Sequence, residues 1–389
     1  MQSHRIKRSR SFRPLVASLC SLGLLAGALT ISGPAAAAAV DAPSAQLLHG
    51  TATKFLNGRN AELVTGSLKS KATTMSVEET TSLQSRESKH KHALKDRRKK
   101  LSALGERYNA ARTEATVLST RMVGAKLIAR VNEKTEFDYE KIRGDEPPFT
   151  AFSVDRDFTY ERSGKKWVLA DVTMAESDGI PPVNEVSAPP VLASSTVLPA
   201  GASSTAPRPG KNADPGVKGS SADGQATTLA AYDYNAMYNY AYRYWDLYNI
   251  DAYRTYAEND CTNFISQIMY AGGWQFANTH LAQEDSRRWD YQWGGTWTTS
   301  YTWAAAHNWY FFATGSGRTT TLGYLSDLMF ADVMQIDFDR NSNISHSMFV
   351  NRTSGSEKYL TYHSTDTWDK SLTSILQQWP DAWYYAHRT

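Results

Sequence analysis

The stretch Asn259–Gly273, "NDCTNFISQIMYAGG", decides how the rest of the chain is read. Phe264, Ile265, Ile268 and Met269 recur at the spacing of one helix face, Asp260 has the chemistry of an N-cap, and Gly272-Gly273 is a stop signal. The spacing therefore predicts a helix whose first residue is Cys261. A cysteine in that position feels the positive end of the helix dipole and its unbonded N–H groups. Both favour thiolate, the nucleophilic form. The same N–H groups suit an oxyanion. The chain holds only one other cysteine, Cys20, which lies in a segment that reads as removable. An exported protein with a lone thiol carries either a reactive group or a small buried hydrophobe.

Export is read from residues 1–40. Arg5, Lys7, Arg8, Arg10 and Arg13 form a basic start, "PLVASLCSLGLLAGALTISG" an apolar run, and "PAAAAAV" a set of Ala-x-Ala cleavage points. "KRSRSF" only loosely resembles a twin-arginine signal, which leaves the export route open. Taking those five cations from the 42 Lys+Arg leaves 37 against 39 Asp+Glu, so the expected mature chain is nearly neutral. Charge thus argues against nucleic acid as a partner. The expectation is a secreted monomer without stable membrane insertion, free or associated with the cell wall.

Residues 184–226 contain no aromatic residue and are dominated by Ser, Ala, Pro and Gly. Such a stretch cannot bury enough apolar surface to offset its ordering entropy and reads as a flexible, disordered linker. It separates an expected small N-terminal α+β domain, 43–183, from an aromatic-rich region, 227–389. Ten of the eleven Trp residues follow it. In the N-terminal part, "AQLLHGTATKFLNGRNAELVTG" is helical in pattern, the polar segment 76–120 reads as a solvated helix, and 121–139 and 150–174 read as strands. A hairpin is expected at Ser163-Gly164, with Phe158, Tyr160, Trp167 and Leu169 available to a core. No constellation there suggests chemistry. The later region opens on a helix carrying Tyr234, Met237, Tyr238, Tyr242 and Trp245, then leads through the Cys261 helix into short strands. The overall class is α+β, a helix packed on an antiparallel sheet.

A thiol nucleophile needs a base and a group to hold that base. His346, in "NISHSMFV", stands where a strand enters a core, and His363, in "YLTYHSTDT", falls on the apparent next strand. Asp366 is the alternative orienting group, since a carboxylate performs that task well. Asn259 or Tyr256 would supply a second oxyanion donor, or else a cap or packing contact. "DFDRNSNIS" places oxygen ligands at alternate positions from Asp337. Ser342 and Met348 stand where a calcium loop needs Gly and Glu, so it reads as an Asx-rich turn. No metal or other cofactor is expected.

Together, "NDCTNFISQIMYAGG", "ADVMQIDFDRNSNISHSMFV", "YLTYHSTDT" and the Trp-rich "RRWDYQWGGTWTTSYTWAAAHNWYFF" resemble the amidase domain of secreted bacterial proteins. That domain is similar to the NlpC-type and CHAP-type papain-like peptidases that act on cell-wall peptides. The resemblance covers 228–389. It implies a papain-like fold in circularly permuted order, Cys261 as nucleophile, His346 as base and His363 as third polar residue. The expected activity is hydrolysis of peptide amides, with peptidoglycan stem peptides as substrate by family analogy. Two rivals stand beside it: a non-catalytic envelope protein that binds glycan or peptide, and a transglutaminase using the same thioester chemistry.

Overall fold

The computed structural model describes residues 42–68, 75–142, 144–175, 180–186, 232–256, 259–292 and 298–389. The export segment 1–40 and residues 187–226 of the expected linker 184–226 lie outside the described residues, whereas Asn184 and Glu185, placed in that linker by the sequence, are buried. The fold is mixed α+β, with seven α-helices and twelve strands among the described residues.

The N-terminal part begins with α1 (Ala45–Asn60), capped by the Ser44 side chain, which accepts from the Leu47 amide. After β1 (Val64–Leu68) and β2 (Glu78–Glu79) comes α2 (Thr81–Ala103), capped in the same manner by Thr80. The long helix expected over 76–120 stops there. Gly105, at φ +91°, takes the chain out of the helix, and Tyr108–Val123 runs as strand β3. The local reason is legible afterwards: Thr113, Ala115 and Val117 alternate, and β-branched residues favour a pleated surface. β4 (Lys126–Tyr139), β5 (Phe149–Ser163) and β6 (Lys166–Met174) complete an antiparallel meander. Phe158, Tyr160 and Leu169 are fully buried against α1 and α2 residues.

Polar groups also lie inside this part. Arg156 donates to Glu133, Glu185 and Asn184, and Arg59 donates to Glu87 and Glu185. Asn184 completes the set through Asn60 and Glu133. The segment 180–186 is therefore clamped down by paired, hydrogen-bonded charge, which offsets the cost of burying it.

The later part opens with α3 (Tyr234–Tyr244) and α4 (Cys261–Ala271). The two helices approach closely at Gly272, where a Cβ would come within 2.4 Å of Met237. Helices α5 (Tyr301–Ala304) and α6 (Ala306–Gly315) follow, then β7 (Thr320–Leu322), β8 (Val333–Asp337), β9 (His346–Ser354), β10 (Glu357–Tyr362), β11 (Asp366–Ser371), α7 (Leu372–Gln378) and β12 (Trp383–Arg388). The strands order as β1-β3-β4-β5-β11-β10-β9-β8-β12-β7. β5 divides its edge: Ala151–Ser153 pair with β11 and Arg156–Ser163 with β6. One sheet thus runs through both parts, and Ala42–Thr389 forms one compact unit.

Along β8 and β9 alternate residues serve two cores. Val333 and Phe349 pack with Phe264, Ile265 and Ile268 of α4. Met334, Ile336, Met348 and Val350 pack with Leu360, Tyr362 and Ile375 on the other face. The α4 side also holds fully buried Trp274, Trp289, Trp303 and Trp309. The Arg318 guanidinium lies over Trp274, Trp289 and Phe312 at 5.3, 5.4 and 5.1 Å. Most of the tryptophan seen in the sequence is core.

Candidate functional site

Cys261 is the first residue of α4 and is buried, at 3% exposure. Its Sγ lies 3.6 Å from the Thr262 hydroxyl, which shares a 3.0 Å hydrogen bond with the Ser347 hydroxyl of β9. Gln335 of β8 donates to Ser347 and to the carbonyl of Ala306. A polar thread therefore runs from beside the thiol across the inner face of the sheet. On an otherwise apolar face each of its groups needs that partner, since an unpaired one would cost about 1–3 kcal/mol.

Asp260, expected as the helix cap, makes no side-chain capping bond to α4. Its carboxylate does other work. Oδ1 accepts from the Tyr256 amide and from Asn263 Nδ2, both at 2.9 Å, and Oδ2 meets His363 Nδ1 at 2.7 Å. The Asp260 amide donates to the Ser364 hydroxyl at 3.0 Å. His363 follows the last residue of β10, and its other nitrogen, Nε2, lies 2.8 Å from the carbonyl of Tyr244. The Phe264 ring stacks flat on the imidazole at 3.7 Å and 5°, and the Tyr248 ring covers it at 4.2 Å and 34°.

A carbonyl can only accept, so His363 Nε2 carries a proton. Nδ1 faces a carboxylate, and the pair is best satisfied as imidazolium and carboxylate. Burial pulls the His363 pKa down, but the hydrogen bond it donates to Asp260 and the nearby Asp366 and Asp260 charges outweigh it, and the net shift is upward. Asp366, at the start of β11, accepts from the Tyr248 hydroxyl at 2.8 Å. Desolvation pushes its carboxyl up to about 7, against the opposing pull of His363 and Tyr248.

His346 stands elsewhere. Ser347 points to α4, so the preceding residue points to the opposite face. The His346 ring sits 5.1 Å from Tyr362 and 6.5 Å from Phe338, on the side of the second core. Neither ring nitrogen has a hydrogen-bond partner among the described residues. Burial pushes its pKa down to about 3, so the ring is neutral. Of the two histidines singled out in the sequence, the one set over the first turn of α4 is His363. Asn259 is exposed, and its amide donates to the Tyr256 carbonyl. Tyr256 reaches the cluster through its own amide, on Asp260.

The sequence reading passed over Asp260 as a site group, and over Tyr244, Tyr248 and Ser364. Asp260 was visible, beside the cysteine, but a cap explained it well enough. The turn holding Ser364 and Thr365 places both at positive φ, +68° and +130°. Non-glycine residues seldom adopt such angles, and they gather at functional sites. At the other candidate loop, the Asp337 carboxylate accepts from the amides of Asn341 and Ser342, and Asn341 Oδ1 from the amide of Asn343. Those are the bonds of an Asx-rich turn. Among the described residues no cluster of His, Cys, Asp or Glu could hold a metal ion. None of the described helices is long and apolar enough to cross a membrane.

Residues 231–387 match the family described as "Putative amidase domain". An uncharacterised Bacillus subtilis protein, YhbB, is 31% identical over 122 residues, which make up 31% of this chain and 37% of that protein. The chain thus spans little more than a third of that relative. No solved structure matches. The family match points to amidase, and hence hydrolase, chemistry for the later part of the chain.

Proposed function

We propose that the region 227–389 is a cysteine amidase or peptidase in which Cys261 is the nucleophile and His363 its proton-transfer partner. The observation that carries this reading is the 2.7 Å pair of His363 and Asp260, seated on the first turn of the helix that Cys261 begins. A cation there, together with the helix N-terminus, favours the Cys261 thiolate. The thiolate attacks the amide carbonyl carbon and forms a C–S bond, while the amide of Cys261 helps hold the oxyanion. His363 leaves the Tyr244 carbonyl and donates its Nε2 proton to the departing amine as the C–N bond breaks. Water then attacks the thioester, passing a proton to His363 and releasing the acid and the thiolate. Peptide amides, with peptidoglycan stem peptides foremost, are the proposed substrate. An extracellular or wall-associated monomer is the proposed setting.

The test is digestion of purified cell wall by the full chain, followed by mass analysis of new termini. Cys261→Ala and His363→Ala should each lower turnover by about a thousandfold or more. His346→Ala should retain most of it. The reverse result, with His346→Ala inactive and His363→Ala active, would return the base to His346. A labelled amine acceptor in the same digest reports a transglutaminase. Binding without any product leaves an envelope-binding protein.

A further inference from the structure

The imidazole of His363 has two faces and two nitrogens, and four groups occupy them. Phe264 of α4 covers one face, Asp260 holds Nδ1, and the carbonyl ending α3 holds Nε2. The fourth, Tyr248, belongs to the irregular segment between α3 and α4. Its ring covers the second face, and its hydroxyl reaches past the imidazole to Asp366. Two aromatic faces within 6 Å of a cation attract it through their quadrupoles, the more so when water is excluded. The segment bearing Tyr248 is itself tied down, since Lys134 of β4 pairs with Asp246 and lies 5.1 Å over the Trp245 ring. Leu247 and Ile250, on either side of Tyr248, are strongly exposed at 64% and 67%. That contrast marks the inward tyrosine as a placed residue on a thin covering strip.

Resting on the reading that His363 serves Cys261, we propose that Tyr248 is a positioning residue for that imidazole. Its ring closes the sandwich and its hydroxyl, through Asp366, fixes how far the ring can turn. The charged and titratable groups that bear on His363 are Asp260 and, in the proposed mechanism, the Cys261 thiolate from the start of α4, Asp366 from β11 and Tyr248 itself. Asp246 bears on the set through Asp366. Losing the Tyr248 hydroxyl removes a donor that holds the Asp366 pKa down against desolvation, so more of the carboxyl is protonated. Less negative charge then faces His363, and its cationic form is weakened. Losing the ring as well removes the second aromatic face.

The experiment follows the His363 ring by NMR titration of histidine-labelled full-length protein, assigned by its absence in His363→Gln. The variants are Tyr248→Phe, Tyr248→Leu and Asp366→Asn. The His363 midpoint should fall in all three, least in Tyr248→Phe and by on the order of one pH unit in Tyr248→Leu. The alkaline limb of kcat/KM should move down with it. Near-UV circular dichroism identifies variants that keep the packed fold. Should Tyr248→Phe and Asp366→Asn keep that fold and leave the midpoint in place, the proposal is overturned, even if turnover drops. Wild-type protein that cleaves no amide removes the proposed function, yet the titration still decides whether Tyr248 positions the ring.

Discussion

Asp260 shows how one carboxylate can replace a simple cap with a junction. It ties the residue before Cys261 to the loop above, to α4 and to the strand end bearing His363. Opposed to it in electrostatic character is His346, buried neutral on the far face of the sheet. The two histidines should therefore tilt stability in opposite directions with pH. His363 is raised in the folded state, so its contribution is complete below about 6.5 and is lost as pH rises through its folded pKa. His346 is depressed, so its contribution is complete above about 6.5 and falls away towards pH 3. Urea unfolding of His346→Leu between pH 7 and pH 5 should lose stability less steeply than wild type, by about 1 kcal/mol per pH unit. A slope equal to that of the wild type would mean that the ring is not held neutral.

At the scale of elements, the turn from β10 to β11 brings His363, Ser364 and Asp366 to the head of α4. Thr365, β-branched at φ +130°, is strained wherever its side chain lies. Thr365→Gly should raise the unfolding free energy by about 1 kcal/mol, and thermal unfolding by calorimetry checks it. A fall in Tm would show that side-chain packing and the freedom glycine adds to the unfolded chain outweigh the strain. Much at this scale was legible beforehand. The α4 helix begins and ends where its apolar period and its glycines place it, because those signals are local. The hairpin from Ser163 to Lys166 was legible too, with Gly164 at φ +61°. The strand after Gly105 was not, since Thr, Ala and Val at mixed spacing satisfy either period until a sheet partner is present. The face on which His346 falls was equally hidden. A one-residue change in register reverses every side chain of a strand, and only the pairing with β8 fixes it.

At the scale of the molecule, the parts before and after the linker are joined in one sheet. Ala151–Ser153 supply β11 with its partner, and Thr150 and Tyr139 add bonds to the carbonyls of Trp368 and Asp369. A chain cut to 227–389 would present β11 as an unpaired edge, which favours association with other strands. Light scattering should find that fragment aggregated, and adding 43–186, which keeps Asn184 and Glu185, in trans should restore a soluble 1:1 complex. A monodisperse, folded fragment would show that the shared strand is dispensable. The clamp around Arg156 and Glu185 fixes the end of the N-terminal part against the same sheet.

The β5–β11 seam also bears on timing. Its partners, such as Ser153 and Asp366, are separated by roughly two hundred residues of chain. A ladder of that span closes late, because a long loop must be drawn shut before any bond is gained. The turn that carries His363 sits at the edge of this last-formed ladder. A polypeptide still being synthesised would hold Cys261 before His363 has been set over the first turn of α4, so the proposed pairing would arrive only with completion of the whole.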